Sequence, residues 1–264
     1  MDMPLNRFKQ ALQQGRLQLG LFLGLGNPIS AEVLASCGYD YLLIDAEHAV
    51  NDVRSVQAQL QAMAAYPVQC LVRPPNHDPA LIKQLLSAGA QTLLVPMVDT
   101  AAQAAALVSA MRYPPKGFRG VGTALERSAR WNAVPDYFSK VEDNTCLIVQ
   151  IESQTGLSNL EAIAQVDGVD GIFIGPADLA ASLGYLGQPG HPEVKTAIAQ
   201  AITRIVACGK SAGVFSSDPT LVPGYCDNGA RFLALGADTS VLRSAAIALL
   251  NSVKPDAAKN GAAY

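Results

Sequence analysis

Charge is scarce in this 264-residue chain. Only 16% of residues are Asp, Glu, Lys or Arg, and 19 Lys+Arg nearly cancel 22 Asp+Glu, for a net charge of −3. A surface so balanced draws no polyanion by bulk electrostatics, which excludes a dedicated nucleic-acid binder. No run approaches the ~20 apolar residues that cross a bilayer, and the start MDMPLNRFKQALQQGR lacks the apolar core of a secretory signal. The expectation is a cytoplasmic protein with no membrane role. Cysteines are few, odd in number and far apart: Cys37, Cys70, Cys146, Cys208 and Cys226 sit in apolar segments and read as buried thiols, against a disulfide framework or a zinc site.

What the chain does have is apolar mass, 50% hydrophobic residues with 22 Gly and 16 Pro, enough for a large core in one or at most two domains. Eight short runs rich in Val, Ile and Leu recur, at 17–25, 41–45, 68–73, 92–98, 146–152, 171–175, 212–216 and 232–236. Segments with helical spacing lie between them, for example 53–64, 79–87, 101–111 and 192–208. Continuous rather than alternating apolar runs suit strands covered on both faces. Eight parallel strands with crossover helices, at roughly 33 residues per unit, predict a (β/α)8 TIM barrel. Pro192 at a helix start, with Gly209, Gly89 and Gly38 past helix ends, marks the helix-to-strand direction.

No linker divides the chain, so residues 1–253 are expected to form one barrel domain, with 254–264 a frayed tail. The interval between the fourth and fifth strands is too long, about 47 residues, and 112–137 reads as an insertion at a strand–helix junction, where long loops cover sites.

Reactive groups in such barrels stand where strands end. There the sequence places Asp45, Glu47 and His48, then Arg73, then Gln150 and Glu152, then Asp178 in IGPAD. Glu152 and Asp178, hard oxygen ligands from neighbouring strand ends, suit Mg²⁺, Mn²⁺ or Co²⁺. The plainer alternatives are that Glu152 pairs with an arginine and Asp178 caps the following helix. Arg73, aimed by Pro74 and Pro75, has the planar fork to hold a carboxylate or keto oxygen, or it neutralises Asp45 or Glu152. His48, three residues after Asp45, is a candidate general base or a structural or metal-ligating histidine. His77 and His191 read as structural. No lysine lies within a strand, which disfavours an imine mechanism, and the loops FSSDPT and GADTS lack the glycine-rich turns of phosphate sites.

In order, IDAEH, LVRP, LLVPMV, RYPPKGFRGVG, VQIES and GVDGIFIGPADL resemble the HpcH/HpaI family of metal-dependent class II pyruvate aldolases, over Phe8 to Leu250. The resemblance implies cleavage of 4-hydroxy-2-keto acids, 4-hydroxy-2-oxoheptanedioate above all, to pyruvate and succinate semialdehyde. It implies Glu152 and Asp178 as ligands of a divalent cation, Arg73 on the pyruvyl oxygens, and His48 with Asp45 as proton handlers. Gln150 and Phe215 would face the substrate, the backbone of Gly175, Pro176, Ala177 and Asp178 would receive the carboxylate, and Val121 with Arg127 would line the aldehyde side.

It further implies a homohexamer built as a trimer of dimers that exchange helix 241–252, with small keto acids and aldehydes as the only other partners. One departure stands out: relatives carry Asp in KQLLDAG, whereas this chain reads KQLLSAG, with Ser87 where the acidic partner of the histidine would be. The competing expectations are a 2-keto-3-deoxy-L-rhamnonate or other sugar-acid aldolase, a CoA-ester lyase on a similar barrel, and a keto-acid binding protein that has lost its acid–base chemistry.

Overall fold

Strands apolar on both faces need a hydrogen-bonded neighbour on each edge and cover on each side, and a closed parallel barrel supplies both. A computed structural model, which describes residues 1–254, has this architecture. The strands are β1 (Gln18–Leu23), β2 (Tyr41–Asp45), β3 (Gln69–Arg73), β4 (Thr92–Val95), β5 (Cys146–Ile151), β6 (Gly171–Ile174), β7 (Ser211–Phe215) and β8 (Ala230–Ala237), each paired in parallel with the next and β8 closing on β1. Nearly all of the tail expected to fray lies outside the described residues.

Helices return the chain between strands, and their ends follow local chemistry. Asp52 and Thr100 close capping boxes on Val53–Ala62 and Ala101–Met111, and Gly89, at φ 108°, ends Pro79–Ala88 in the left-handed region. The fourth run is shorter than expected because Pro96 offers no ladder donor and Met97 turns to φ 53°.

Two cores result. Leu42, Ile44, Val72, Leu93, Val149 and Ile172 face outward onto the helices. Inside, Phe22, Tyr41, Leu43, Leu71, Ile148, Phe173 and Phe232 fill the barrel, and Phe8 of helix Arg7–Gln13 plugs its N-terminal end, edge-on to Tyr41 at 5.3 Å and to Phe232 at 5.6 Å. Gly20 and Gly213 make this filling possible, since a Cβ on either would overlap the ring of Tyr41 or Phe232. All five cysteines are free; Cys146 is buried, whereas Cys37, contrary to expectation, is exposed. Among the described residues no helix is long and apolar enough to cross a membrane.

The long interval corrects one expectation. Helix Ala101–Met111 follows β4 directly and brings the chain back to the N-terminal end of the barrel, so residues 112–145 join a helix to β5 there. They do not cover the strand C-termini.

Candidate functional site

Side chains in a strand alternate between faces, so the residues two places beyond the inner apolar layer also point inward. That parity carries Leu43 to Asp45, Leu71 to Arg73, and Ile148 to Gln150, with Glu152 following at the end of β5. The result is a polar layer on top of an apolar one, at the C-terminal mouth.

Asp45 and Arg73 are register partners on β2 and β3. Arg73 donates from Nε and Nη2 to the two Asp45 oxygens, each at 2.8 Å; its Nη1 lies 3.0 Å from Glu47 Oε2, and its guanidinium sits over the Phe22 ring at 4.9 Å. Both members of the pair are buried. Arg73 therefore does neutralise Asp45, and Glu47 with it.

Glu152 is 2% exposed and pairs with no arginine; its oxygens accept from the Met97 backbone N–H at 2.9 Å and from Gln150 Nε2. Asp178 stands exposed in the first turn of helix Pro176–Ser182, which has no side-chain cap. His48 is at the rim, exposed, with Nε2 3.6 Å from Glu47 Oε2, while its own backbone N–H leans on Asp45 Oδ1.

The electrostatics sort these acids. Burial alone would raise the Asp45 carboxyl, but the two hydrogen bonds and charge of Arg73 outweigh it and hold Asp45 below the usual range. Arg73 is pushed up in return. Burial raises Glu152 to about 7, with the charges of Asp178 and Glu47 adding to it against the Gln150 and Met97 hydrogen bonds. Burial raises Glu47 as well, against Arg73 and His48.

Glu47, Glu152 and Asp178 thus repel one another across the mouth, Gln150 Oε1 is buried without a hydrogen-bond donor, and Glu47 Oε2 has only its ion-pair contacts with Arg73 and His48. Such a set fits a divalent cation. Among the described residues no three His, Cys, Asp or Glu converge to enclose one alone, so two carboxylates would leave positions for water and substrate.

Several expected site residues lie elsewhere or differ in detail. Arg127 is at the N-terminal end, donating to the carbonyls of Ala88 and Leu60, because the loop that carries it joins a helix to a strand there. Val121 shares that end, exposed, in a groove with Lys9 and Lys210. Neither reaches the mouth of its own barrel. The backbone carbonyl of Ser87, near the end of Pro79–Ala88, accepts from the Ser128 N–H in the loop at the N-terminal end of the barrel, so its side chain starts from the end opposite His48; within one subunit the acid beside His48 is Glu47.

In the carboxylate cradle the Gly175 N–H is taken by Ile151 O, and Pro176 has none, which leaves Ala177 and Asp178 as first-turn donors. Phe215 does reach the mouth, edge-on to Phe22 at 5.4 Å. His77 bonds to Pro96 O, and His191 caps helix Pro192–Ala207 and stacks on Tyr185, both local roles. The sequence reading missed Met97, whose contribution is a backbone N–H, and Asn51, whose side chain ties Asp45 O to Leu23 O.

Comparison with known proteins gives a concordant answer. The model of the HpcH/HpaI aldolase/citrate lyase family matches residues 18–245. A hydroxypyruvate/pyruvate aldolase of Pseudomonas aeruginosa is 58% identical over 92% of this chain and 90% of its own length. A 4-hydroxy-2-oxo-heptane-1,7-dioate aldolase of Salmonella dublin is 54% identical over 92% and 93%. The crystal structure of an HpcH/HpaI family protein from Burkholderia cenocepacia superposes with a TM-score of 0.91 at 41% identity, covering 94% of this chain and 99% of that one. Sequence, barrel and relatives agree: the chain belongs to the HpcH/HpaI aldolase/citrate lyase family and is a carbon–carbon lyase.

Proposed function

We propose that the protein is a divalent-metal-dependent pyruvate aldolase. It cleaves a 4-hydroxy-2-keto acid such as 4-hydroxy-2-oxoheptanedioate to pyruvate and an aldehyde, and runs the addition in reverse with pyruvate or hydroxypyruvate. The observation that carries this reading is the buried Arg73, fixed by Asp45, beside the carboxylates of Glu152 and Asp178. Relatives named for both chemistries support a shared pyruvyl half-site, with 4-hydroxy-2-oxoheptanedioate one acceptor product among several.

Glu152 and Asp178 would hold Mg²⁺, Mn²⁺ or Co²⁺, which when bound supplies Lewis acidity toward the keto-acid oxygens. The first-turn amides of Ala177 and Asp178 receive the substrate carboxylate. Arg73 keeps N–H donors beyond those that Asp45 occupies and directs them at the C2 oxygen. His48, with Glu47 beside it, takes the proton of the C4 hydroxyl; the C3–C4 bond breaks, its electron pair stays with C3, and the negative charge moves to the C2 oxygen, where Arg73 opposes it. Protonation at C3 completes pyruvate. Phe22 and Phe215 wall the pocket and exclude water. No lysine is needed, and Lys9 and Lys210 are tied to carbonyls at the opposite end.

Helix Asp238–Val253 supports a homo-oligomer, a hexamer built as a trimer of dimers that exchange it. Val241, Leu242, Leu249, Leu250 and Val253 are exposed along it, an apolar stripe that a partner barrel would cover.

Lactate-dehydrogenase-coupled pyruvate release tests the reading. Turnover is expected to require Mn²⁺ or Mg²⁺, and rates with succinate semialdehyde against lactaldehyde rank the aldehydes. Cleavage at full rate in chelator-treated protein, or a borohydride-trapped lysine adduct, would refute it.

A further inference from the structure

At the N-terminal end of the barrel, opposite the mouth, lies a cavity of about 340 Å³. Helix ends, the N-terminal segment and the 112–145 loop form its walls. Arg7, Arg119, Arg127 and Arg130 line it, and among the described residues no Asp or Glu does. Among the described residues only Arg119 of the four has an acidic partner, Glu126 behind the wall, which leaves an excess of positive charge that a net charge of −3 does not lead one to expect.

Two of the guanidinium groups are held where water is largely excluded. Arg127, 9% exposed, has only the carbonyls of Ala88 and Leu60 for partners, both at 3.3 Å, and Arg130 is close enough to repel it. Arg119 is 3% exposed; its Nη2 meets Glu126 at 3.3 Å and it packs on the Tyr113 ring, but its Nε is buried without a partner.

A buried arginine stays charged; the two carbonyls lie in the last turns of helices Val53–Ala62 and Pro79–Ala88, whose negative ends compensate that charge in part through bonds of 3.3 Å. Gly89, left-handed at φ 108°, lets the Arg127 guanidinium lie against it, since a Cβ there would push Nη1 aside, and Arg130, Trp131 and Asn132 run through three successive left-handed conformations at φ 50°, 53° and 67°.

We propose that this cavity is a binding site for a small doubly charged oxyanion, a phosphate group or a short dicarboxylate, held by Arg127 and Arg130 with Arg119 behind them. The site is independent of the aldolase reading. It also touches the catalytic end through one element, since Gln69 and Cys70 on its wall begin the strand that finishes in Arg73.

Calorimetric titration of the full-length oligomer with inorganic phosphate and, separately, with succinate tests the proposal. Saturable binding of at least one, near one per chain, is expected to survive Arg73→Gln and to weaken by about tenfold or more in Arg127→Gln, the loss of one charge-assisted contact. Arg130→Gln, at a half-buried position, should weaken it by a smaller factor and decides the matter if Arg127→Gln does not fold. Phosphate binding with succinate silent identifies a phosphorylated ligand, and the reverse a dicarboxylate. The proposal is overturned if neither anion binds at millimolar concentration, if Arg73→Gln abolishes binding while the Arg127 and Arg130 variants keep it, or if a crystal structure of the oligomer shows an acidic side chain of a neighbouring subunit on Arg127.

Discussion

Gly175 joins β6 to the helix that carries Asp178, at φ −97° and ψ 99°, a conformation any L-residue adopts. Its replacement by alanine therefore tests space rather than backbone freedom. The added methyl would overlap Glu152 Oε2 and stand 3.0 Å from Gln150 Nε2 and 3.1 Å from Glu152 Cβ. The backbone on both sides is fixed, by the Gly175 N–H on Ile151 O and by the helix itself, so the Glu152 carboxylate has to move.

Overpacking of this kind costs about 1–3 kcal/mol, and the hydrogen bond from Gln150 to a charged acceptor, worth about 1.5–3 kcal/mol, is lost in the same movement. The two overlap, and Gly175→Ala is expected to lower unfolding free energy by about 2–3 kcal/mol in urea titration. The catalytic effect is larger. A carboxylate displaced by about 1 Å costs roughly 100-fold in turnover, and Mn²⁺ affinity falls with it. Pyruvate release under saturating Mn²⁺, with calorimetry of Mn²⁺ binding, reads both. If Gly175→Ala kept wild-type turnover and Mn²⁺ affinity, the glycine would not be setting the Glu152 carboxylate, and the assignment of Glu152 as a metal ligand would fall with it.

Asp45→Ala leaves Arg73 buried without its main partner and is expected to cost about 3–5 kcal/mol, measured by chemical denaturation at neutral pH; a loss under about 1 kcal/mol would show that the pair carries little. Because the Asp45 carboxyl is held below its ordinary range, its contribution is fully present above that range and disappears as pH falls through the lowered value, so wild type and variant converge in acid. Glu152 behaves in the opposite sense. Raised to about 7, it must lose a proton to take a metal, so Mn²⁺ affinity should climb by up to tenfold per pH unit below about 7 and level above it. Calorimetry across that range checks the slope, Glu152→Gln should abolish it, and a flat wild-type profile contradicts the placement of Glu152.

The polar layer at the mouth was legible in the sequence for a reason that the barrel makes plain. Strand periodicity is two, so once Leu43, Leu71 and Ile148 are assigned to the inner face, Asp45, Arg73 and Gln150 must share it, and the eight apolar runs fix which end they occupy. What the sequence hid lies in contacts that no periodicity encodes. Met97 serves Glu152 through its N–H, so its side chain carries no signal, and only the preceding Pro96 hints that the strand stops early.

The misplaced loop is more instructive. Its length suggested a cover for the site, but position along the βα unit decides the end at which a segment lies, and helix 101–111 had already carried the chain away from the mouth. Val121 and Arg127 moved with it, and so did the meaning of Ser87, which bonds to that same loop. Arg127, carried away from the mouth with that loop, instead closes the last carbonyls of two helices beside a cavity that, among the described residues, no Asp or Glu lines.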